Sequence, residues 1–294
     1  MKKRGSAMGT FVCCIMLQAL FTDASAQITA DTSIVKDSPV TVEKGKTHAL
    51  YAGAGFGSNM VYLGTTISDN NPFGYASVSY GFKDQLYLSA TGYTLSGFTP
   101  FVAYYSLDLS FSHTFNSWFD IGLSLSRYNI AESLKDTLFS SFTYANATLG
   151  FDWRILYTQI STGGLFSDDS WFYLQARNSR YFETPSFAGG KAFFSFDPYV
   201  NLIFGTIYTI ETTEDTTSSS PGHGGWHRPP KDSATSYSEK FGLMEMDFGL
   251  PIAFSYDFFT LELEPGYVLP LYPDAGTTGT QGFVFLASVF FRIF

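Results

Sequence analysis

The stretch Gly282-Phe283-Val284-Phe285-Leu286-Ala287-Ser288-Val289-Phe290-Phe291-Arg292-Ile293-Phe294 closes the chain. It is a strand in composition, because aromatic and β-branched residues of this density favour a pleated, half-buried surface. Counted back by twos from Phe294, Phe290, Leu286 and Val284 are apolar, whereas Arg292 and Ser288 are not. That mixed set leaves open which face of this last strand is turned where.

Upstream the same two-residue period recurs. Twelve alternating segments, each long enough to cross a bilayer when tilted, are read at 48–63, 73–82, 85–95, 100–113, 118–129, 138–151, 154–164, 170–181, 191–210, 239–257, 259–270 and 282–294. In the fourth, Phe101, Ala103, Tyr105, Leu107, Leu109 and Phe111 share one face, and Tyr104, Ser106, Asp108, Ser110 and Ser112 the other. A helix would mix the two sets. In the ninth, Phe194, Phe196, Val200, Leu202 and Phe204 oppose Ser195, Asp197, Tyr199, Asn201 and Gly205; in the eleventh, Leu261, Leu263, Tyr267 and Leu269 oppose Thr260, Glu262, Glu264 and Gly266.

Tight turns are expected at Lys83-Asp84, Phe115-Asn116-Ser117, Asp152-Trp153 and Asp257-Phe258, alternating with longer connections at 67–72, 131–137, 211–238 and 272–281. Residues 182–190 fall on the tight-turn side although they are not tight, so a ten- or fourteen-strand count is also compatible. A secreted β-sandwich would alternate as well. Against it stand the aromatics at segment ends (Tyr51, Tyr62, Phe73, Tyr93, Trp118, Trp153, Trp171 and Tyr267), which suit the ring girdles of a membrane barrel.

The chain carries 18% aromatic but only 15% charged residues, against about 25% charged in an ordinary soluble domain. Its mean hydropathy is nevertheless +0.04, because polar and apolar residues alternate instead of forming blocks. The aromatic last strand and terminal Phe294 resemble those of bacterial outer-membrane β-barrels. The resemblance covers the whole of residues 27–294, with the barrel itself read at 47–294, and extends, through composition and strand pattern, to barrels of the Bacteroidota type. It implies an all-β, transmembrane antiparallel up-and-down barrel of about twelve strands, whose last strand pairs with its first. It also implies outer-membrane lipid and the barrel-assembly machinery as partners, with both termini periplasmic.

The N-terminus fits that compartment. Lys2, Lys3 and Arg4 precede an apolar stretch from Phe11 to Phe21 and an Ala24-Ser25-Ala26 cleavage site, so residues 1–26 are read as a signal peptide. The apolar stretch is shorter than the ~20 residues of a membrane-spanning helix. Both cysteines, Cys13 and Cys14, lie within it, and the remainder carries no thiol. Residues 27–46 read as a flexible periplasmic lead. The net charge of −9 grows more negative once that basic leader is removed, which argues against nucleic acid as a partner.

If the apolar set faces lipid, the opposite set lines the lumen. The lumen-lining candidates are Arg177, Asp197, Asn201, Glu245, Asp247, Asp257, Glu262 and Glu264, with Tyr75, Ser77, Ser79, Tyr87 and Ser89 in the first half. An acidic wall on a water-filled lumen would favour cations. Alternatively the carboxylates pair with Arg177 and Arg292 and fill the interior.

No catalytic constellation is recognised. His113 is followed two residues later by Phe115, and His48 by Leu50, so neither has a serine on its own face. His223 and His227 lie in a Gly- and Pro-rich stretch that cannot align them as a helix would. With Glu211, Glu214, Asp215 and Asp232 they leave a weak divalent-metal or Asp/His protease site open. No cofactor is expected. The expected function is a passive channel or narrow transporter for small solutes with an acidic lumen. The alternatives are a closed barrel that binds a surface partner through its outer loops, especially 211–238, and, third, a hydrolase.

Overall fold

A computed structural model describes residues 47–62, 65, 66, 68, 70–135, 140–166, 170–212, 235–271 and 281–294. Twelve strands form the wall: β1 (His48–Gly57), β2 (Phe73–Phe82), β3 (Leu86–Leu95), β4 (Tyr104–Asn116), β5 (Phe119–Ile130), β6 (Phe142–Asp152), β7 (Tyr157–Phe166), β8 (Ser170–Ser179), β9 (Tyr199–Thr212), β10 (Thr235–Gly249), β11 (Phe259–Pro270) and β12 (Gly282–Arg292). Each pairs antiparallel with its sequence neighbours, and β1 pairs with β12 from Tyr51↔Arg292 to Gly57↔Leu286. The sheet is therefore closed and leaves no unpaired wall edge. A single 3-10 turn, Glu132–Leu134, is the only helical element among the described residues. The expectations for residues 1–46 lie outside the described residues.

The closing strand β1 reads Ala52-Gly53-Ala54-Gly55-Phe56-Gly57, a weak strand by composition. Its glycines sit on the inner face because aromatic rings occupy the space a side chain would need. A Cβ on Gly55 would collide with the Tyr75 ring, and one on Gly57 with Phe73. The rings cover the bare backbone and fix the register where the barrel closes.

Lys83 and Asp84 both have positive φ, 56° and 54°, as a two-residue hairpin turn requires. This turn, those at Ser117-Trp118 and Asp257-Phe258, and both ends of the described chain lie at one end of the barrel, here the terminal end. The longer connections lie at the other, the loop end. Most of the 211–238 connection lies outside the described residues. Its flanks do not: β9 runs on to Thr212 and β10 begins at Thr235, so the strand pairing continues into the expected loop.

Three expected strands are broken. The 170–181, 191–210 and 239–257 segments are interrupted at Arg180-Tyr181, Asp197-Pro198 and Leu250-Pro251. Proline lacks the amide N–H a ladder needs, and the breaks line up across neighbouring strands. Arg180 N–H donates to the Pro198 carbonyl at 3.2 Å, Asp197 N–H to Pro251 at 3.1 Å, and Leu250 N–H to Pro265 at 3.0 Å. Below this line Ala192–Phe196 pairs with Ile252–Tyr256, which pairs with β11. Phe182–Glu183 folds onto Ser195–Phe196, so the 182–190 connection is a hairpin at the terminal end, which preserves the count of twelve.

The outer surface is apolar. Tyr105, Leu107 and Leu109 of β4 are 47%, 49% and 44% exposed, and Val78, Leu88, Leu123, Leu125, Phe172, Leu174, Leu261 and Leu263 continue the band around the wall. A water-soluble monomer does not present so continuous an apolar surface. In a bilayer it is the expected lipid face. Trp118 and Trp153 are exposed at the terminal end, as a girdle requires. Phe73 and Tyr93, expected in the girdle, are instead buried inside the barrel. Ala103, expected on the outer face, is likewise buried; it precedes β4, which starts at Tyr104. Position at a strand end does not say which side of the wall a ring takes.

Candidate functional site in the barrel lumen

Inside, the barrel is divided. Toward the loop end the strand-borne rings pack into a layer. Tyr93 stacks on Tyr104 with centroids 4.4 Å apart, Tyr128 on Phe142 at 4.7 Å, and Tyr144 on Tyr173 at 5.8 Å. Tyr104, Tyr128 and Tyr144 are only 1–2% exposed, so very little of their surface is within reach of water. Three residues from the loop-end connections join the layer, Met60, Ala103 and Leu134, all buried. Tyr104 donates its hydroxyl to the Met60 sulfur at 3.5 Å, and Met60 N–H donates to Ser68 Oγ at 3.1 Å. Sequence periodicity places Tyr104 inside, yet it could not show that tyrosines from five strands meet at one level.

Toward the terminal end the inner face is polar and small. Ser79 and Ser89 are linked at 2.7 Å, Thr148 and Ser161 at 2.8 Å, and Tyr75 and Ser288 at 2.8 Å. The last contact turns Ser288, with Phe290 and Arg292 on its own alternate set, inward, which resolves the facing of the last strand. Arg292 is exposed and lies opposite Tyr51, at the terminal end.

The charged candidates gather on one side of the wall, where β8 to β11 carry them. Arg177, Asn201, Glu245 and Glu264 are buried, and Asp197, Asp247 and Glu262 are half-buried. Asp257 is not with them: it occupies the exposed turn before β11 with φ 49°, because β-pairing ends at Tyr256. Arg177 approaches Asp197 at 3.6 Å, and its guanidinium lies 3.9 Å from the centre of the Tyr199 ring. Tyr199 donates to Glu264 Oε1 at 2.7 Å, and Asn201 Nδ2 donates to Asp247 Oδ2 at 3.1 Å. Inner-face spacing on four adjacent strands produces this cluster, since residues at matching heights become cross-strand neighbours: Arg177 faces Asn201, and Asn201 faces Asp247.

Two inner carboxylates outside this group belong to the same face. Asp108 accepts from Ser106 at 2.7 Å, and Asp120 accepts from the Tyr157 hydroxyl at 2.9 and 3.0 Å. Asp120 opens β5 and went unnoticed in the sequence because it adjoins a turn, where a solvated carboxylate is the ordinary reading.

The described histidines take no part in this interior. His48 hydrogen-bonds Tyr80 on the outer face, and His113 packs edge-on against Phe115 at 4.7 Å. No group of three or more His, Cys, Asp or Glu placed to hold a metal occurs among the described residues. His223 and His227, with Glu214, Asp215 and Asp232, lie outside the described residues, and nothing is described of the Glu211 side chain.

Closed wall, apolar exterior and polar interior together define an integral outer-membrane β-barrel. Among solved structures, the chain is similar in architecture to the NanC porin (9% identity, 83% of this chain and 100% of that one, TM-score 0.44), to the KdgM porin (11%, 83% and 98%, 0.44) and to LpxR from Salmonella typhimurium (8%, 82% and 99%, 0.47). No protein-family model and no curated relative matches the chain.

Proposed function

We propose that the protein is a narrow conduit for small cationic solutes. The observation that supports this most is the charge of the inner face. Asp108, Asp120, Asp197, Glu245, Asp247, Glu262 and Glu264 stand there with Arg177, which approaches Asp197, and with Arg292 exposed at the terminal end. Such an imbalance inside low-dielectric walls concentrates cations and repels anions. On this reading the tyrosine layer is the constriction and the serine- and threonine-lined part below it the vestibule. The terminal end faces the periplasm, and residues 1–26 are the removed signal peptide.

The test is ion selectivity in a planar bilayer under a salt gradient. Replacing Glu245, Asp247, Glu262 and Glu264 together by their neutral amides should move the reversal potential toward zero; an unchanged reversal potential would rule out the acidic wall as the selectivity element.

The near-complete burial of Tyr104, Tyr128 and Tyr144 favours a second reading: a barrel closed by its own rings that acts through its loop end on a surface partner. Deletion of residues 213–234 should then abolish capture of that partner while the barrel stays heat-modifiable on gels. The hydrolase reading rests on His223 and His227 alone, and activity that survives their joint replacement by alanine would dismiss it.

A further inference from the structure

A cavity of about 40 Å³ opens between β9, β10 and β11, room for about three waters at one probe sphere each. The carboxylates Glu245, Asp247 and Glu264 share it with Asn59, Tyr199 and Asn201, and among the described residues no lysine, arginine or histidine lines it. Arg177 is held outside, on the face of the Tyr199 ring.

The lining has acceptors left over. Asn201 is 4% exposed, and its Oδ1 has no hydrogen-bond partner; neither has the buried Oδ1 of Asp247. The Asn201 orientation is fixed by its own chemistry, since Nδ2 donates to Asp247 Oδ2 and so turns Oδ1 away from that carboxylate. The Tyr199 hydroxyl is committed to Glu264. Asp247 and Glu245 line the same small cavity, and carboxyls crowded together favour a shared proton or a bound cation. A buried acceptor without a donor is costly. What is missing is a group that brings both N–H donors and positive charge.

We infer that this cavity is a subsite for the primary ammonium group of a small organic amine, with N–H bonds to Asn201 Oδ1 and Asp247 Oδ1 and its charge met by the Asp247–Glu245 pair and Glu264. A metal ion fits less well, because no set of three ligating side chains among the described residues is arranged around one point. A quaternary ammonium has no N–H to give. The inference rests on the conduit reading to the extent that it names the chemical group such a conduit would recognise, but binding itself does not require conduction.

The test is calorimetric titration of protein purified from expressing membranes into detergent, with ethylammonium chloride as the probe and tetramethylammonium chloride and calcium chloride as comparisons. Ethylammonium should bind and tetramethylammonium should not. Asp247→Asn and Asn201→Ala should each weaken binding about tenfold, the loss of one charge-assisted hydrogen bond. No binding of ethylammonium, equal binding of tetramethylammonium, calcium binding that displaces ethylammonium, or unchanged affinity in both variants would overturn the site. Heat-modifiable migration reports whether each variant is folded, and the wild-type comparison stands without them. Ethylammonium binding by a barrel silent in bilayers would keep the site and remove the conduit; cation-selective conduction without ethylammonium binding would do the reverse.

Discussion

At the scale of single residues, the barrel is built from fits between inner rings and missing side chains. Tyr75 lies across Gly55 and reaches Ser288 on the far side of the closing seam. Gly55→Ala should therefore lower the unfolding free energy by about 1–3 kcal/mol, the usual cost of overpacking, read as a shift of the urea midpoint in detergent. A neutral substitution would mean that the ring is not wedged there. The outer face answers to a different solvent. Leu109→Arg, near the middle of β4, should cost about 2–4 kcal/mol in a lipid bilayer, measured by refolding into vesicles, whereas a wild-type stability would place this face away from hydrocarbon. Which side a residue takes was legible wherever apolar and polar residues alternate cleanly, as in Tyr105, Leu107 and Leu109 against Ser106 and Asp108. It was not legible for Phe73 and Tyr93, because an aromatic ring suits both an interfacial girdle and a packed lumen.

At the scale of elements, each strand was visible in the alternation, and the turns at Lys83-Asp84 and Asp257-Phe258 in pairs of residues able to take them. The turn expected at Phe115-Asn116-Ser117 falls at Ser117-Trp118, and the one expected at Asp152-Trp153 at residues 153–156. The Lys83-Asp84 hairpin has left-handed backbone at both positions. Asp84→Gly should relieve strain there and raise stability by about 0.5–1 kcal/mol, seen as a higher urea midpoint; a drop would show that the aspartate side chain has a role of its own. The breaks at Asp197-Pro198 and Leu250-Pro251 escaped the sequence reading for a physical reason. Alternation runs through them, with Ser195 and Ala253 still on the buried side, so the period carries no mark of the missing amide. Asp257 was misplaced by the same extrapolation, since its parity is inward but the ladder has already ended. The acidic cluster itself was largely foreseeable, because Glu245, Asp247 and Glu264 stand on inner positions of strands that had to be neighbours. Their link to Asn201 and Tyr199 depends on cross-strand register, which only the pairing of β9 with β10 and of β10 with β11 supplies.

At the scale of the whole molecule, two features of the interior oppose each other. On the proposed conduit reading the acidic wall would draw cations in, and the tyrosine layer would narrow the path beyond it. If the layer is the constriction of a conduit, Tyr104→Ala together with Tyr128→Ala should raise single-channel conductance at unchanged cation preference, because selectivity resides in the carboxylates and resistance in the rings. Equal conductance in the double variant would place the narrowest point elsewhere. The measurement that tests the central claim most directly is the reversal potential of the refolded chain from Gln27 onward in a planar bilayer under a salt gradient. Discrete steps with a cation-selective reversal potential are expected. Silence from a barrel shown by heat-modifiable migration to be folded, or an anion-selective potential, would contradict the account.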